Sequence, residues 1–536
     1  MPGGVDMEHL TSGLKVDFLG VIPSLPEILS SEGIIAFSAL LTFKGRTIKK
    51  LYQETLEKEQ NPREKIRKIL SKSSLRGHAS IATTPTVALS FSGSKFPDSL
   101  LTGIIFSSGL MASGRRTKTE VSDIVFPDAI YKSPSLRGLY ADQAKANIDF
   151  LNLMLETGIP QDEASKIMPY GILGTGIMVL PVESLVGLRR EYEEENDWMP
   201  NEAKIIISEF EKKLPEFGLE NLYYMRLVAP RDVYPYPNIF KNPKKENLAR
   251  FYSQELKINQ HSAIVDFRGK VPQDLAKRLK KLKDEAEKLY QSKRKIKGEW
   301  PEILKFRRQI CRDYNLSIEV LLASRPSWRV WGEKKRHRTV PQIVDSIYYA
   351  VGEASDIFEK NLAKIKDEKL GDELLLKIDR HFSIPPTIRS KPEVLGKYLK
   401  IAASSFLTYQ KLVKNGAKPC EAISIIPRGV RISVLQSYNL YNLISGYFPL
   451  RLCTTAEEQL RGMTEKEAVL LKKFLVSQKL KTLADQIIPK CHLVGFCPEE
   501  KFCGKIKAAV PFYEEAFHEE MKEELERRFL KIKDQI

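Results

Sequence analysis

The chain is expected to be an α+β protein of two repeated domains, each a small twisted sheet combined with a helical bundle. Three observations predict this. At 536 residues it is too long for one ordinary hydrophobic core. Short alternating runs, VALSF at Val87–Phe91 and LSIEVLL at Leu316–Leu322, read as strands between longer stretches of helical periodicity. A segment of the first half also returns in the second.

That repeat sets the domain plan. LETGIPQDEASKIMPYG, ending at Gly171, matches VKNGAKPCEAISIIPRG, ending at Gly429, without a gap. Gly158, Glu163, Ala164, Ile167, Pro169 and Gly171 reappear as Gly416, Glu421, Ala422, Ile425, Pro427 and Gly429. A helical pattern precedes each copy, and Gly416 stands where a helix C-cap is expected. Upstream, GRRTKTEVSD (Gly114–Asp123) resembles RHRTVPQIVD (Arg336–Asp345). Domains are expected over 1–250 and 260–536, joined near YPYPNIFKNPKKEN, whose Pro, Asn and Lys content suits a linker. The second domain carries an insertion near 350–395, expected as a lobe or long loop, and a Cys-containing C-terminal tail. Amphipathic helices are expected over about 272–292 and 513–532.

Composition narrows the function classes. Six cysteines are too few for a disulfide framework and point to a reducing compartment, and the N-terminus shows no basic start followed by an apolar run, so a cytoplasmic location is expected. The longest apolar run, Leu100–Ala112, is too short and too broken to cross a bilayer. The net charge of +17 favours anionic ligands. No aromatic-interleaved basic stripe singles out nucleic acid, which is not an expected partner. Cys491, His492, Cys497 and Cys503 cluster, but without the paired spacing of a metal site, so no metal is expected. Cys420 and Cys453 read as buried small residues. Trp328 and Trp331 read as packing residues, either of which could stack on a ring.

The residues that point to chemistry are Arg336-His337-Arg338, followed after seven residues by Ser346. This spacing, with the order of segments around it, resembles the flavin-dependent thymidylate synthases. RGHASIATT (Arg76–Thr84) is similar to the family's Gly-His element, SYNLYNLISGYFPLR to its Asn…Leu-Arg stretch, and AEEQLR (Ala456–Arg461) to the motif that follows. The resemblance runs over about 310–480 and, more weakly, 70–215. It implies reductive methylation of dUMP to dTMP, with FAD as cofactor and NADPH and methylenetetrahydrofolate as co-substrates. It implies Arg336, His337, Arg338 and Ser346 as catalytic residues, the first three touching flavin and Ser346 holding dUMP. His78, Ser80 and Asn439 would bind FAD, and Arg451 the nucleotide, with Arg115 and Arg116 as replacement cations. Family members form homotetramers with active sites at subunit junctions, so a homodimer of this duplicated chain is expected to imitate one.

The chemistry suits these residue types. Guanidinium forks match phosphate, carboxylate and carbonyl oxygens, and cations near a uracil stabilise charge that develops on its oxygens. Like charge on both sides biases His337 towards its neutral form. The sequence also departs from the family. Tyr348 stands where an arginine is usual after the serine, Ile343 and Val344 replace Asn and Glu, and Tyr441, Thr83, Ser165 and Ile423 replace charged residues. A degenerate flavin- or nucleotide-binding homologue, or a flavoenzyme methylating another pyrimidine, are the alternatives.

Overall fold

The computed structural model describes residues 14–22, 30–74, 79–104, 106–112, 119–291, 299–497, 499, 503 and 515–535. Two compact units divide the chain, and each gathers separate stretches of sequence. Unit 1 comprises Met1–Glu246, Ser327–Arg338 and Asp345–Ile432; unit 2 comprises Asn247–Pro326, Thr339–Val344 and Ser433–Ile536. The units thus cut across a simple division of the chain near 250–260.

Unit 1 holds a four-stranded antiparallel sheet of β1 (Lys15–Ile22), β2 (Thr86–Ser94), β3 (Ser108–Met111) and β4 (Leu173–Pro181), in the order β1-β2-β4-β3. Period-two patterning makes β2: Val87, Leu89 and Phe91 are buried, and Thr86, Ala88 and Ser90 between them are partly exposed. A register shift between Phe18 and Gly20 bends the edge strand β1. Unit 2 repeats the plan with β5 (Ser262–Gly269), β6 (Ile318–Ser324), β7 (Gln342–Val344) and β8 (Val434–Asn439), in the order β5-β6-β8-β7, again with a shift in its first strand, between Ile264 and Asp266. One face of this second sheet packs Val320, Leu322 and Tyr438 into a core with Leu279, Ile310, Phe448 and Leu471. The expected helices over 272–292 and 513–532 are Gln273–Gln291 and Glu515–Lys533.

Five helices of unit 1 position the site: α1 (Phe96–Leu101), α2 (Pro134–Glu156), α3 (Trp328–Lys334), α4 (Ile347–Lys360) and α5 (Pro392–Lys414). The two long ones, α2 and α5, are each 23 residues and begin with proline at the first helical position, where its missing N–H costs nothing. Each is followed by a left-handed glycine, Gly158 at φ 78° and Gly416 at φ 98°. In α2, Leu136, Tyr140, Ala144 and Ile148 recur at helical spacing and pack with Leu412 and Ile425. Buried amides sit on the same face. Asn147 Nδ2 donates to Ser405 Oγ at 3.0 Å, and Gln143 Nε2 to the same hydroxyl at 3.1 Å.

The segment 350–395, expected as a lobe or long loop, is mainly helical: α4 fills its start, helices Leu362–Lys366, Asp372–His381 and Pro386–Arg389 follow, and Phe358, Ile378 and Phe382 are fully buried. Arg336–Arg338 lie between α3 and β7; of the segment Gly114–Asp123 that resembles Arg336–Asp345, Gly114–Lys118 lie outside the described residues.

Candidate functional site

The gapless repeat meets itself inside unit 1. Pro169 and Pro427 form an antiparallel bridge. Around it, Tyr170 N–H donates to Ile426 C=O at 3.2 Å and Arg428 N–H to Met168 C=O at 2.9 Å. Gly171 N–H donates to Ser424 C=O and Gly429 N–H to Lys166 C=O, both at 2.8 Å. Each bond has its counterpart at the repeat-equivalent residues, so the two turns exchange backbone hydrogen bonds reciprocally, as the two sides of a two-fold contact do. The glycines are needed for the close approach. A Cβ on Gly171 would stand 2.8 Å from Ser424 Cβ, and one on Gly429 would stand 2.7 Å from a Phe382 ring carbon.

The side chains between Pro and Gly are Tyr170 and Arg428, and both line one cavity of about 90 Å3. Its walls come from the end of β2 (Phe91, Lys95), from α1 (Asp98), from β4 (Gly174, Thr175) and from α3 (Trp328, Arg329, Glu333), with Arg336 just beyond. Trp328 stacks on Tyr170 with ring centroids 3.9 Å apart and planes at 6°, and its indole N–H donates to Ser99 Oγ at 3.2 Å. Ser99 Oγ also hydrogen-bonds the Tyr170 hydroxyl. The Arg428 guanidinium lies 5.5 Å from the Tyr170 ring centre.

Charge in the cavity is unbalanced. Arg336 Nη2 bonds Asp98 Oδ1 at 3.2 Å, and the Lys335 ammonium bonds the Asp98 carbonyl. Burial alone would raise the Asp98 carboxyl, but the Lys335 and Arg336 cations outweigh it and hold it at about 2. Burial lowers Lys335 to about 7. Arg329 lies 3.4 Å from Glu333. Among the described residues Lys95 has no ion pair of this kind: burial, with Arg428 and Arg329 beside it, outweighs Asp98 and Asp123 and brings its ammonium down to about 7. Arg428 is 4% exposed, burial lowers it to about 10, and its Nε and Nη2 have no hydrogen-bond partner among the described residues.

The expected site residues are spread more widely than the cavity. Arg336 stands at its rim. His337 is partly buried, its backbone N–H on Lys334 C=O at 3.2 Å. Arg338 turns the other way and clamps backbone: Nη2 donates to Thr102 C=O at 3.1 Å and Nε to Ile104 C=O at 3.3 Å. Ser346 is fully buried, with its hydroxyl on Lys241 C=O at 2.6 Å. Tyr348, in the place of the family arginine, donates to Trp198 C=O. Ser80 is exposed on the helix Ala79–Thr83. In unit 2, Asn439 caps the helix Leu440–Ile444, its Oδ1 accepting from Asn442 N–H at 3.1 Å, and Arg451 ends the helix Tyr447–Arg451. His78, Arg115 and Arg116 lie outside the described residues.

The sequence reading missed Lys95, Asp98, Tyr170, Arg329 and Arg428. The signal lay in the repeat: at the one variable position between its matched proline and glycine, one copy has an aromatic ring and the other a cation. Burial pushes the Cys420 thiol up to about 12, which disfavours a nucleophilic thiolate. Among the described residues no three His, Cys, Asp or Glu side chains form a metal-holding group, and no helix is long and apolar enough to cross a membrane.

Comparison with known proteins gives one family. Residues 318–475 match the family model described as thymidylate synthase complementing protein. The flavin-dependent thymidylate synthase of Pyrococcus abyssi is 28% identical over 126 residues, covering 23% of this chain and 50% of the relative. That of Aeropyrum pernix is 36% identical over 84 residues, 15% of this chain and 25% of the relative. The chain thus spans at most about half the length of these curated relatives. Among solved structures, a UMP/dUMP methylase from Streptomyces cacaoi bound to 5-Br dUMP aligns at TM-score 0.32 and 11% identity, over 41% of this chain and 99% of its own. Thymidylate synthase X from Helicobacter pylori with FAD and dUMP aligns at TM-score 0.29 and 16% identity, over 40% and 99%.

Proposed function

Since the chain belongs, through residues 318–475, to the flavin-dependent thymidylate synthase family, we propose that it is an FAD-dependent thymidylate synthase. In this reading it methylates dUMP reductively to dTMP, with methylenetetrahydrofolate and NADPH as co-substrates. The observation that carries the reading is the position of Arg336, the first residue of the family motif, at the rim of an aromatic-walled cavity with surplus positive charge. Orphaned guanidinium donors and a Tyr170–Trp328 stack fit an anionic nucleotide or the phosphate portion of a flavin cofactor. When bound, the flavin supplies the hydride and electron chemistry.

The chain's own residues bind, orient and stabilise charge. Asp98 orients the Arg336 guanidinium, which places a fixed cation where negative charge on a pyrimidine carbonyl would develop. The Arg336 and Lys335 cations beside Asp98 hold its carboxyl low, so it stays ionised. The matching strand orders of the two sheets and the reciprocal turns support descent by tandem duplication. One chain would then supply both sides of a junction that the family builds from separate subunits, and a homodimer would supply the rest. Purified protein should take up FAD, show oxidised-flavin absorption and form dTMP from dUMP. Protein that stays colourless with excess FAD and forms no dTMP overturns the reading.

A specific observation favours a second reading, a homologue that binds nucleotide or flavin without methylating. Arg338, Ser346 and Tyr348 spend their polar groups on the protein's own backbone carbonyls. Flavin uptake with dUMP binding but no dTMP would select it. Methylation of a different pyrimidine by the flavin-loaded protein would select the remaining alternative.

A further inference from the structure

We propose that the cavity between Tyr170 and Arg428 is a binding site for a tetrahedral dianion of the phosphate class, seated on Arg428 and Lys95. Neither residue belongs to the motif that identifies the family, and the inference stands whether or not the methylation reading does.

Charge comes first. Of the four cations lining the cavity, two are matched: Arg336 by Asp98 at 3.2 Å and Arg329 by Glu333 at 3.4 Å. Among the described residues Arg428 and Lys95 have no ion-pair partner of this kind, and Asp98 and Asp123 offset the charge on Lys95 only weakly. A buried cation without a counter-ion is costly, and the fold keeps Arg428 in that state with the half-buried Lys95 on the same cavity. Hydrogen bonding comes second. Arg428 is 4% exposed, and its Nε and Nη2, two donors of one guanidinium edge, meet no acceptor among the described residues. Buried donors are almost always satisfied, and one guanidinium edge with two open donors matches two oxygens of a phosphate or sulfate in a bidentate pair. Size comes third. Sites for drug-sized ligands run about 300–1,000 Å3, so 90 Å3 admits an oxyanion and excludes an isoalloxazine ring. The walls also reserve the space. Lys95 lies across Gly174, where a Cβ would come within 2.4 Å of Lys95 Cγ. Trp328, Tyr170 and Ser99 are locked to one another by stacking and hydrogen bonds, so they cannot turn to supply the missing acceptor.

The same chemistry is offered by a free anion, a nucleoside monophosphate or a dinucleotide's diphosphate, and competition separates them. Sulfate, whose charge is constant near neutral pH, is titrated calorimetrically into the full-length protein at pH 6.5 and low ionic strength. Saturable one-site binding is expected. It should weaken at least tenfold in Arg428→Gln and in Lys95→Met, and stay unchanged in Lys68→Met, on a remote helix. Lys95→Met removes a half-buried like charge and should fold with an undiminished melting temperature, which guards against a variant lost to misfolding. Displacement of sulfate by dUMP assigns the subsite to a monophosphate, displacement by FAD but not dUMP to a diphosphate, and displacement by neither to a free anion; each outcome supports the site. Absence of sulfate and phosphate binding in the wild type, or equal affinity in folded Arg428→Gln and Lys95→Met, overturns it.

Discussion

The turns Pro169–Gly171 and Pro427–Gly429 share a backbone and differ in one side chain. Their hydrogen bonds are reciprocal to within 0.3 Å, yet Tyr170 gives the cavity an aromatic wall and Arg428 gives it an unpaired cation. In a contact between identical subunits, any residue at this position appears on both sides. A covalent repeat removes that constraint. Backbone geometry, which both sides need, is retained, and the side chain that decides ligand chemistry is free to diverge.

If the close approach of the turns holds this arrangement, Gly171→Ala and Gly429→Ala should be the most damaging small changes. Each new methyl group would meet atoms closer than 3 Å, Tyr140 Oη and Ser424 Cβ in one case and the Phe382 ring in the other. Overpacking of this kind costs about 1–3 kcal/mol, readable by urea denaturation. Wild-type stability in both variants would show that the turns do not hold the repeat segments together.

The asymmetric side of the comparison has a pH signature. Lys95 is faced by Arg428, Arg329, Asp98 and Asp123, and titrates near 7 instead of its ordinary 10.5. Below that value it carries the charge an anion needs; above it the charge is lost. Sulfate affinity should therefore fall by about tenfold, the equivalent of 1.4 kcal/mol, between pH 6 and pH 8.5. In Lys95→Met the profile should be markedly shallower, with Lys335 beside Asp98 the remaining group that titrates near 7. For folding the sign is opposite: the depressed pKa penalises the native state at low pH, so Lys95→Met should gain stability relative to wild type most clearly below pH 7.

The symmetric side has a smaller signature. Asn147 and Ser405, at equivalent places on α2 and α5, hydrogen-bond across the helix pair at 3.0 Å. Asn147→Ala should cost about 1–2 kcal/mol by thermal or chemical denaturation, because it takes the amide donor from the buried Ile167 carbonyl and one of the partners of the Ser405 hydroxyl. Smallest of all, Cys420→Ala should leave dTMP formation unchanged, since the thiol is buried and held protonated.

Much of this architecture was readable in the residues. Period-two runs gave β2 and β6, the two glycines after α2 and α5 marked their ends, and the gapless repeat identified the segments that meet. Such features follow from local backbone rules. The cavity was not readable, because Lys95, Trp328 and Arg428 lie far apart in sequence and no local pattern distinguishes a buried orphan arginine from a solvated one. Ser346 illustrates the converse. Its spacing from Arg336 is a family signature, yet its hydroxyl is spent on the Lys241 carbonyl, a partner over a hundred positions away. Spacing identifies ancestry; what a side chain does depends on which distant segment packs beside it.

In the proposed function Arg336 holds a nucleotide at the rim of the cavity, with an anionic group of the ligand reaching into it. Calorimetric titration of dUMP into FAD-supplemented protein at pH 6.5 tests it most directly. Saturable binding by the wild type, weakened at least tenfold in Arg336→Ala with the fold intact, is the predicted result. No dUMP binding by the wild type, or undiminished binding by Arg336→Ala, would contradict it.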